Sequence, residues 1–207
     1  MLGSPRARDN RAVGVPLTEE KFVSIMGTLL RNRRAGEAKL AWNLPALIGP
    51  ETLRLSSQAF AEGAPIPVEH AGKRIGGREI SPALSWSPAP EGTEELLLVI
   101  EDIDVPMGKP FVHLSALIDP TVTTLAAGAL NPATAPAGVR LLKSTMGRGY
   151  IGPSPIKGHG PHRYVFQLFA LPSPAPGNAG SAGPRALLSA VRGPALARAR
   201  LTGTYER

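Results

Sequence analysis

The chain has 207 residues, 23 Lys plus Arg against 16 Asp plus Glu, a net charge of +7 and a pI near 10.2, and it contains no Cys. That length suits one domain able to bury roughly 70% of the surface its unfolded form exposes, and the missing Cys excludes disulfides, a thiolate nucleophile and Cys-held zinc or iron–sulfur sites. With 23 Gly and 22 Pro, the composition argues for many tight connections and a β-rich fold rather than long helices.

Residues 1–16 are polar, Arg-rich and aperiodic, which predicts a disordered start. Arg6, Arg8, Arg11, Arg31, Arg33 and Arg34 all precede residue 50; a solvated tail is the ordinary reading, and nucleic-acid binding through this basic N-terminus is the alternative. After Pro16 the spacing predicts an amphipathic helix over about 18–35, with Thr18 as cap and Glu19 and Glu20 where the helix dipole favours acids. Phe22, Ile25, Met26, Leu29 and Leu30 form its apolar stripe, and Gly36 can end it. Burial of that stripe against the β-domain or a second subunit is expected, which makes a homodimer one outcome. No segment approaches the roughly 18–20 apolar residues of a membrane span. The sequence RNRR directly follows the apolar FVSIMGTLL, where a signal peptide would have a small-residue cleavage site, so a cytoplasmic location is expected.

From Glu51 the rhythm changes to short apolar runs between Pro and Gly, dividing the chain into an extension, 1–50, and a β-domain, 51–207. Strands are predicted within 52–60, 81–88, 94–102, 110–119, 162–171 and 196–207. The unbroken run Leu96 to Ile100 marks a central strand covered on both faces. In the next strand Val112, Leu114, Ala116 and Ile118 alternate against Phe111, His113, Ser115 and Leu117. Residues 172–184 read as a flexible connector, and Pro184 opens a short helix carrying Leu187, Leu188 and Val191, stopped by Gly193 and Pro194.

Three segments hold the ionisable groups that a β-core would not place by default. Asp102 and Asp104 follow the central strand, where alternation sets both on one face beside a pocket; a turn ahead of Pro106 accounts for them equally well. His113 lies inside an apolar strand, where a satisfied core histidine is the plain alternative. His159 and His162 sit on a loop stiffened by Pro153, Pro155 and Pro161 and shaped by Gly152, Gly158 and Gly160, which can hold polar groups in place at little entropic cost. Gly147, Gly149 and Gly152 spell GxGxxG, but Pro153 and Pro155 stand where the pyrophosphate-binding helix would start. A metal site on the histidines lacks a helical motif, and a triad of Ser144 or Ser154 with His162 and Asp102 lacks a nucleophile elbow.

Together EDIDVP (101–106), FVHL (111–114), GPSPIKGHGPHRYVFQLFAL (152–171), SPALSW (81–86) and LTGTYER (201–207) resemble the phosphatidylethanolamine-binding protein family, in its prokaryotic Raf kinase inhibitor-like branch. The resemblance implies a mainly β fold: a large central antiparallel sheet packed on a smaller one, with a short C-terminal helix. It implies a small cavity for phosphate-like anions, with Asp102, His113, His162 and Tyr164 as ligand-binding residues and Pro106, Gly152, Pro153 and Pro155 shaping the rim. His159 falls where the family varies and is left out. Neither a catalytic residue, a metal nor a cofactor is implied. Ile103, Ile156 and Phe111 depart from the family pattern and put the rim's shape and selectivity in question. The implied function is noncatalytic binding of a phosphate-like or carboxylate anion, including a phospholipid head group, with a regulatory or inhibitory role; a kinase or serine protease target is left unassigned. A small hydrolase using the His/Asp pair is the alternative. If His113, His162 and Tyr164 donate to the anion, binding should strengthen as pH falls from about 8 to 6.

Overall fold

A computed structural model of the chain describes residues 19–177, 181 and 183–207. The expected disordered start, with Arg6, Arg8 and Arg11, lies outside the described residues. All six predicted strands form: β1 (Leu55–Ser57), β2 (Leu84–Trp86), β3 (Glu95–Asp102) and β4 (Phe111–Ile118) precede four short strands, and the two long C-terminal strands follow. The short strands, which carry too few residues for a sequence period, are β5 (Thr124–Leu125), β6 (Val139–Leu141), β7 (Lys143–Ser144) and β8 (Gly147–Arg148). The long ones are β9 (His162–Leu171) and β10 (Ala197–Tyr205). A five-stranded antiparallel sheet runs β10-β9-β3-β4-β6, a three-stranded sheet runs β1-β2-β5, and β7 pairs with β8. The fold is the mainly β arrangement that the resemblance implies.

β3 is buried from Leu96 onward because both faces of the large sheet are covered. On one face Leu96, Leu98 and Ile100 join Leu114, Phe166 and Leu168 against Leu84 and Trp86 of the small sheet. On the other, Leu97, Val99 and Phe169 pack under Trp42, Leu47, Leu187 and Leu188. Each such side chain contributes roughly 1.5–3 kcal/mol by leaving water. The second cover comes partly from helix α2 (Pro184–Ala190) and partly from three single-turn helices between Glu37 and Leu47. Buried Glu101 clips these pieces to the sheet: its carboxylate accepts from Ala41 N–H at 2.7 Å and Gln167 Nε2 at 2.9 Å and pairs with Arg185 at 2.7 Å.

Helix α1 (Glu19–Leu30) is shorter than the spacing predicts, and it docks by a different face. Ile25, Met26 and Leu29 are 45%, 37% and 72% exposed, so the expected burial of the stripe against the β-domain does not occur at these positions. The contact face is built around buried Gly27, where any Cβ would collide with the Lys157 carbonyl. Close backbone approach, which only glycine permits, has overridden the apolar period. Beyond the helix, Ala35 N–H and Gly36 N–H donate to the carbonyls of Val105 and Ile103, stitching the chain to the segment after β3.

The alternation predicted for β4 is interrupted at His113. Ile100 opposes Leu114 and Glu101 opposes Val112, leaving His113 as the extra residue of a β-bulge. Val112 consequently joins the second core while Leu114, Ala116 and Ile118 stay in the first. A bulge re-aims side chains at the point where pairing slips.

Candidate functional site

The ends of β3 and β9, the bulge of β4 and the loop before β9 surround a cleft of about 760 Å³. Of the residues expected at the site, Asp102, His113, His162, Pro106, Gly152 and Pro155 line it. Tyr164 and Pro153 do not reach the wall. Tyr164 is buried behind it, its ring edge-on to His113 with centroids 5.1 Å apart and stacked on His162 at 6.5 Å. Burial first, then the Asp102 charge, push the ionisation of its hydroxyl well above 10, so it stays a neutral hydroxyl beside Asp102.

Asp102 and Asp104 part company because the strand ends between them. Asp102 Oδ2 meets His162 Nδ1 at 2.7 Å, while its other oxygen accepts Asp104 N–H at 2.8 Å. Asp104 turns instead to Arg163 and Arg34, at 2.9 Å and 2.8 Å. Burial alone would raise its carboxyl, but hydrogen bonds from Arg163 and Arg34 outweigh that and hold it at about 2. The expectation that both carboxylates share one face is therefore corrected: Asp104 is a structural tie between the segment after α1 and the start of β9.

His159, left out on the strength of the resemblance, is fully buried and completes a chain of hydrogen bonds. Its Nδ1 lies 2.8 Å from His162 Nε2, and its Nε2 lies 2.8 Å from the Leu30 carbonyl and 3.2 Å from that of Arg33. A carbonyl only accepts, so His159 Nε2 carries a proton. Each of the two remaining contacts, His159 to His162 and His162 to Asp102, also needs one. Two neutral imidazoles and a carboxylate carry two protons between them, so a complete set of three hydrogen bonds requires one more within the cluster. Both nitrogens of His162 are engaged within the fold, which corrects the expectation that His162 donates to a bound anion. It also leaves no ring nitrogen to activate Ser144 or Ser154, so the imagined triad is not assembled. His159 thereby caps the C-terminal end of α1 at Leu30. The one sequence signal for this role was the pairing of two imidazoles three residues apart on a proline-stiffened loop.

His113 Nδ1 lies 2.8 Å from the Ile151 carbonyl, which leaves Nε2 for the cleft. Burial, the largest influence, lowers its basicity despite the nearby Asp102 charge. Titration of His113 is therefore shifted below the ordinary histidine value, against the expectation from the residue type alone. Sequence reasoning also missed Glu79, which holds a left-handed backbone at φ 57° and accepts Gly152 N–H at 3.3 Å from the cleft wall. Such backbone strain in a non-glycine residue marks a position held by its surroundings. Lys73, Arg74 and Arg148 stand at the mouth. Nothing in their local sequence distinguishes them from other surface cations.

The family description that matches this chain, phosphatidylethanolamine-binding protein, covers residues 56–206. The chain belongs to this family. Its bacterial relatives include a UPF0098 protein of Mycobacterium tuberculosis, 38% identical over 172 residues, which span 82% of this chain and 78% of the relative. A UPF0098 protein of Aquifex aeolicus is 32% identical over 160 residues, spanning 77% of this chain and 91% of the relative. Among solved structures, E. coli YbcL, described as a new member of the mammalian PEBP family, superposes with a TM-score of 0.67 at 29% identity, covering 75% of this chain and 98% of that one. The family match starts at residue 56, so α1, whose end meets His159, lies outside the matched segment.

Proposed function

We propose that this family member is a noncatalytic binding protein whose cleft takes a small phosphate-like anion, free or as part of a larger molecule. The observation that carries the reading is the Asp102–His162–His159 chain of hydrogen bonds. A carboxylate in the wall would repel an anion; here Asp102 is committed to the His162 ring at 2.7 Å. Lys73, Arg74 and Arg148 at the mouth then supply attraction, against Glu79 alone. Phosphatidylethanolamine, which the family's name prints, is one source of such a group, and soluble phosphorylated molecules are the other. The reading extends to a regulatory role exerted from a cytoplasmic location, with the ligand controlling what the exposed side of the protein contacts.

Calorimetric titration of the full chain with inorganic phosphate and phosphoethanolamine tests the binding, alongside His113→Ala and Arg74→Ala with Arg148→Ala. Saturable binding by the wild type, weakened in each variant, supports the reading. Equal affinity in all three proteins would place the anion elsewhere and refute it.

A further inference from the structure

A second groove, of about 610 Å³, shares no wall residue with the cleft and lies where the outer edge of β10 meets β1. β10 closes one side of the large sheet and pairs there with β9 alone. Successive peptide groups of an antiparallel strand turn alternately to its two sides. On the outward side of β10, Arg198 N–H donates to the Pro50 carbonyl at 2.9 Å, Thr202 N–H to the Glu62 carboxylate at 2.8 Å and Thr204 N–H to the Ala64 carbonyl at 2.9 Å. The Thr202 and Thr204 carbonyls accept from Gly63 and Ile66. Between these ties the Arg198 carbonyl and both peptide groups of Arg200 have no hydrogen-bond partner among the described residues. An open stretch of strand edge is a template for another extended chain.

The charges around this gap have one sign. Arg198 and Arg200, two apart on the strand, share a face, and their guanidiniums lie 3.9 Å and 5.2 Å from the centre of the Trp42 ring. Arg54, exposed, lines the groove from the β1 side. Against these three cations Glu51 is the only acid in the lining, and it is 60% exposed. It meets Arg198 through Nη2 alone, at 3.1 Å; Nη1 donates to the Trp42 carbonyl at 2.8 Å, and Nε is buried with no acceptor. The edge formed by Nε and Nη2 matches the two oxygens of a carboxylate, so Glu51 uses half of it and a better-placed carboxylate can displace it.

We infer that this groove docks an extended acidic segment of another protein. One residue of the segment exchanges N–H to carbonyl hydrogen bonds with Arg200 at the open edge, and carboxylates at alternate positions meet Arg198 and Arg200 while Arg54 adds attraction from the β1 side. The gap is one residue pair long, so the main-chain contact sets register and the arginines supply most of the attraction. A nucleic-acid strand would answer the charge but brings no peptide group to Arg200, which is the ground for favouring a peptide. The site is independent of the cleft and of what the cleft binds.

Fluorescence anisotropy of the full chain with a labelled, end-blocked peptide of alternating Glu and Val tests the inference. The comparison probes are its Gln–Val and Lys–Val counterparts, a copy N-methylated on the backbone of each Glu, and a thymidylate oligonucleotide of equal length. The Glu–Val peptide should bind saturably, the Gln–Val peptide roughly tenfold more weakly, and the N-methylated copy about fivefold more weakly for want of the edge hydrogen bond. Arg200→Glu, at an exposed position and with its fold checked by circular dichroism, should lose the Glu–Val peptide and gain the Lys–Val one. No saturable binding of the Glu–Val peptide would overturn the inference. Equal affinity for the N-methylated copy, or oligonucleotide binding as tight as the peptide, would mean a diffuse attraction for polyanions and would also overturn it. So would loss of peptide binding in Arg74→Ala with Arg148→Ala but not in Arg200→Glu, which would place the peptide at the cleft.

Discussion

Asp104 ties the segment after α1 to the start of β9, and acid should release it. The carboxylate is fully buried between Arg34, 31% exposed, and Arg163, 43% exposed. Its folded value of about 2, against 3.8 in the ordinary state, corresponds to roughly 2 kcal/mol of preference for the ionised form. Because both guanidiniums touch solvent, screening reduces this, and about 1–2 kcal/mol is the working figure. The folded pKa is depressed, so the contribution is complete above the unfolded value near 4 and is lost as pH falls from about 4 toward 2. Asp104→Asn keeps the shape but removes the charge and its titration. Urea unfolding of wild type and Asp104→Asn at pH 5 and pH 2, followed by circular dichroism, should show the wild-type advantage shrinking by about 1–2 kcal/mol at the lower pH. An advantage that is the same at both pH values would mean that Asp104 acts through packing or hydrogen-bond shape, and the electrostatic account would be wrong.

Gly27→Val should undock α1, since the new side chain meets the Lys157 carbonyl; hydrogen exchange of residues 19–36 should rise while β3 and β9 stay protected. His159→Leu removes the bridge between His162 and the Leu30 carbonyl, and the same exchange measurement should show faster opening of the α1 end together with a perturbed His162 ring signal in NMR. Glu101→Ala leaves Arg185 and Gln167 without their buried partner and should cost about 3–5 kcal/mol in urea unfolding; a loss under 1 kcal/mol would show that water replaces the carboxylate freely. Phe166→Ala empties the space under Phe60, whose ring lies 5.4 Å away, and should cost about 3–5 kcal/mol with little change in the circular dichroism of the folded state.

The strand frame was legible because it rests on local pattern. Leu96 to Ile100 reads as a doubly covered strand from five consecutive apolar residues, and Pro184 with Leu187 and Leu188 reads as a short helix, since both signals are complete within one segment. The loop at 152–162 announced itself in the same way, through the density of Pro and Gly around two imidazoles. Neither signal depends on what the segment will eventually touch.

Direction and partnership were decided by tertiary contacts. The bulge at His113 arises from how β3 and β4 slip past each other, so no period along β4 could reveal it. Gly27 sets the docked face of α1 because the Lys157 backbone approaches from a segment 130 residues away, against the helix's own apolar stripe. Hydrogen-bond roles are likewise properties of pairs. His162 has both ring nitrogens taken by Asp102 and His159, and His113 commits its Nδ1 to the Ile151 carbonyl, so the residue types established which chemistry was present while the folded neighbours determined which atoms were left to perform it.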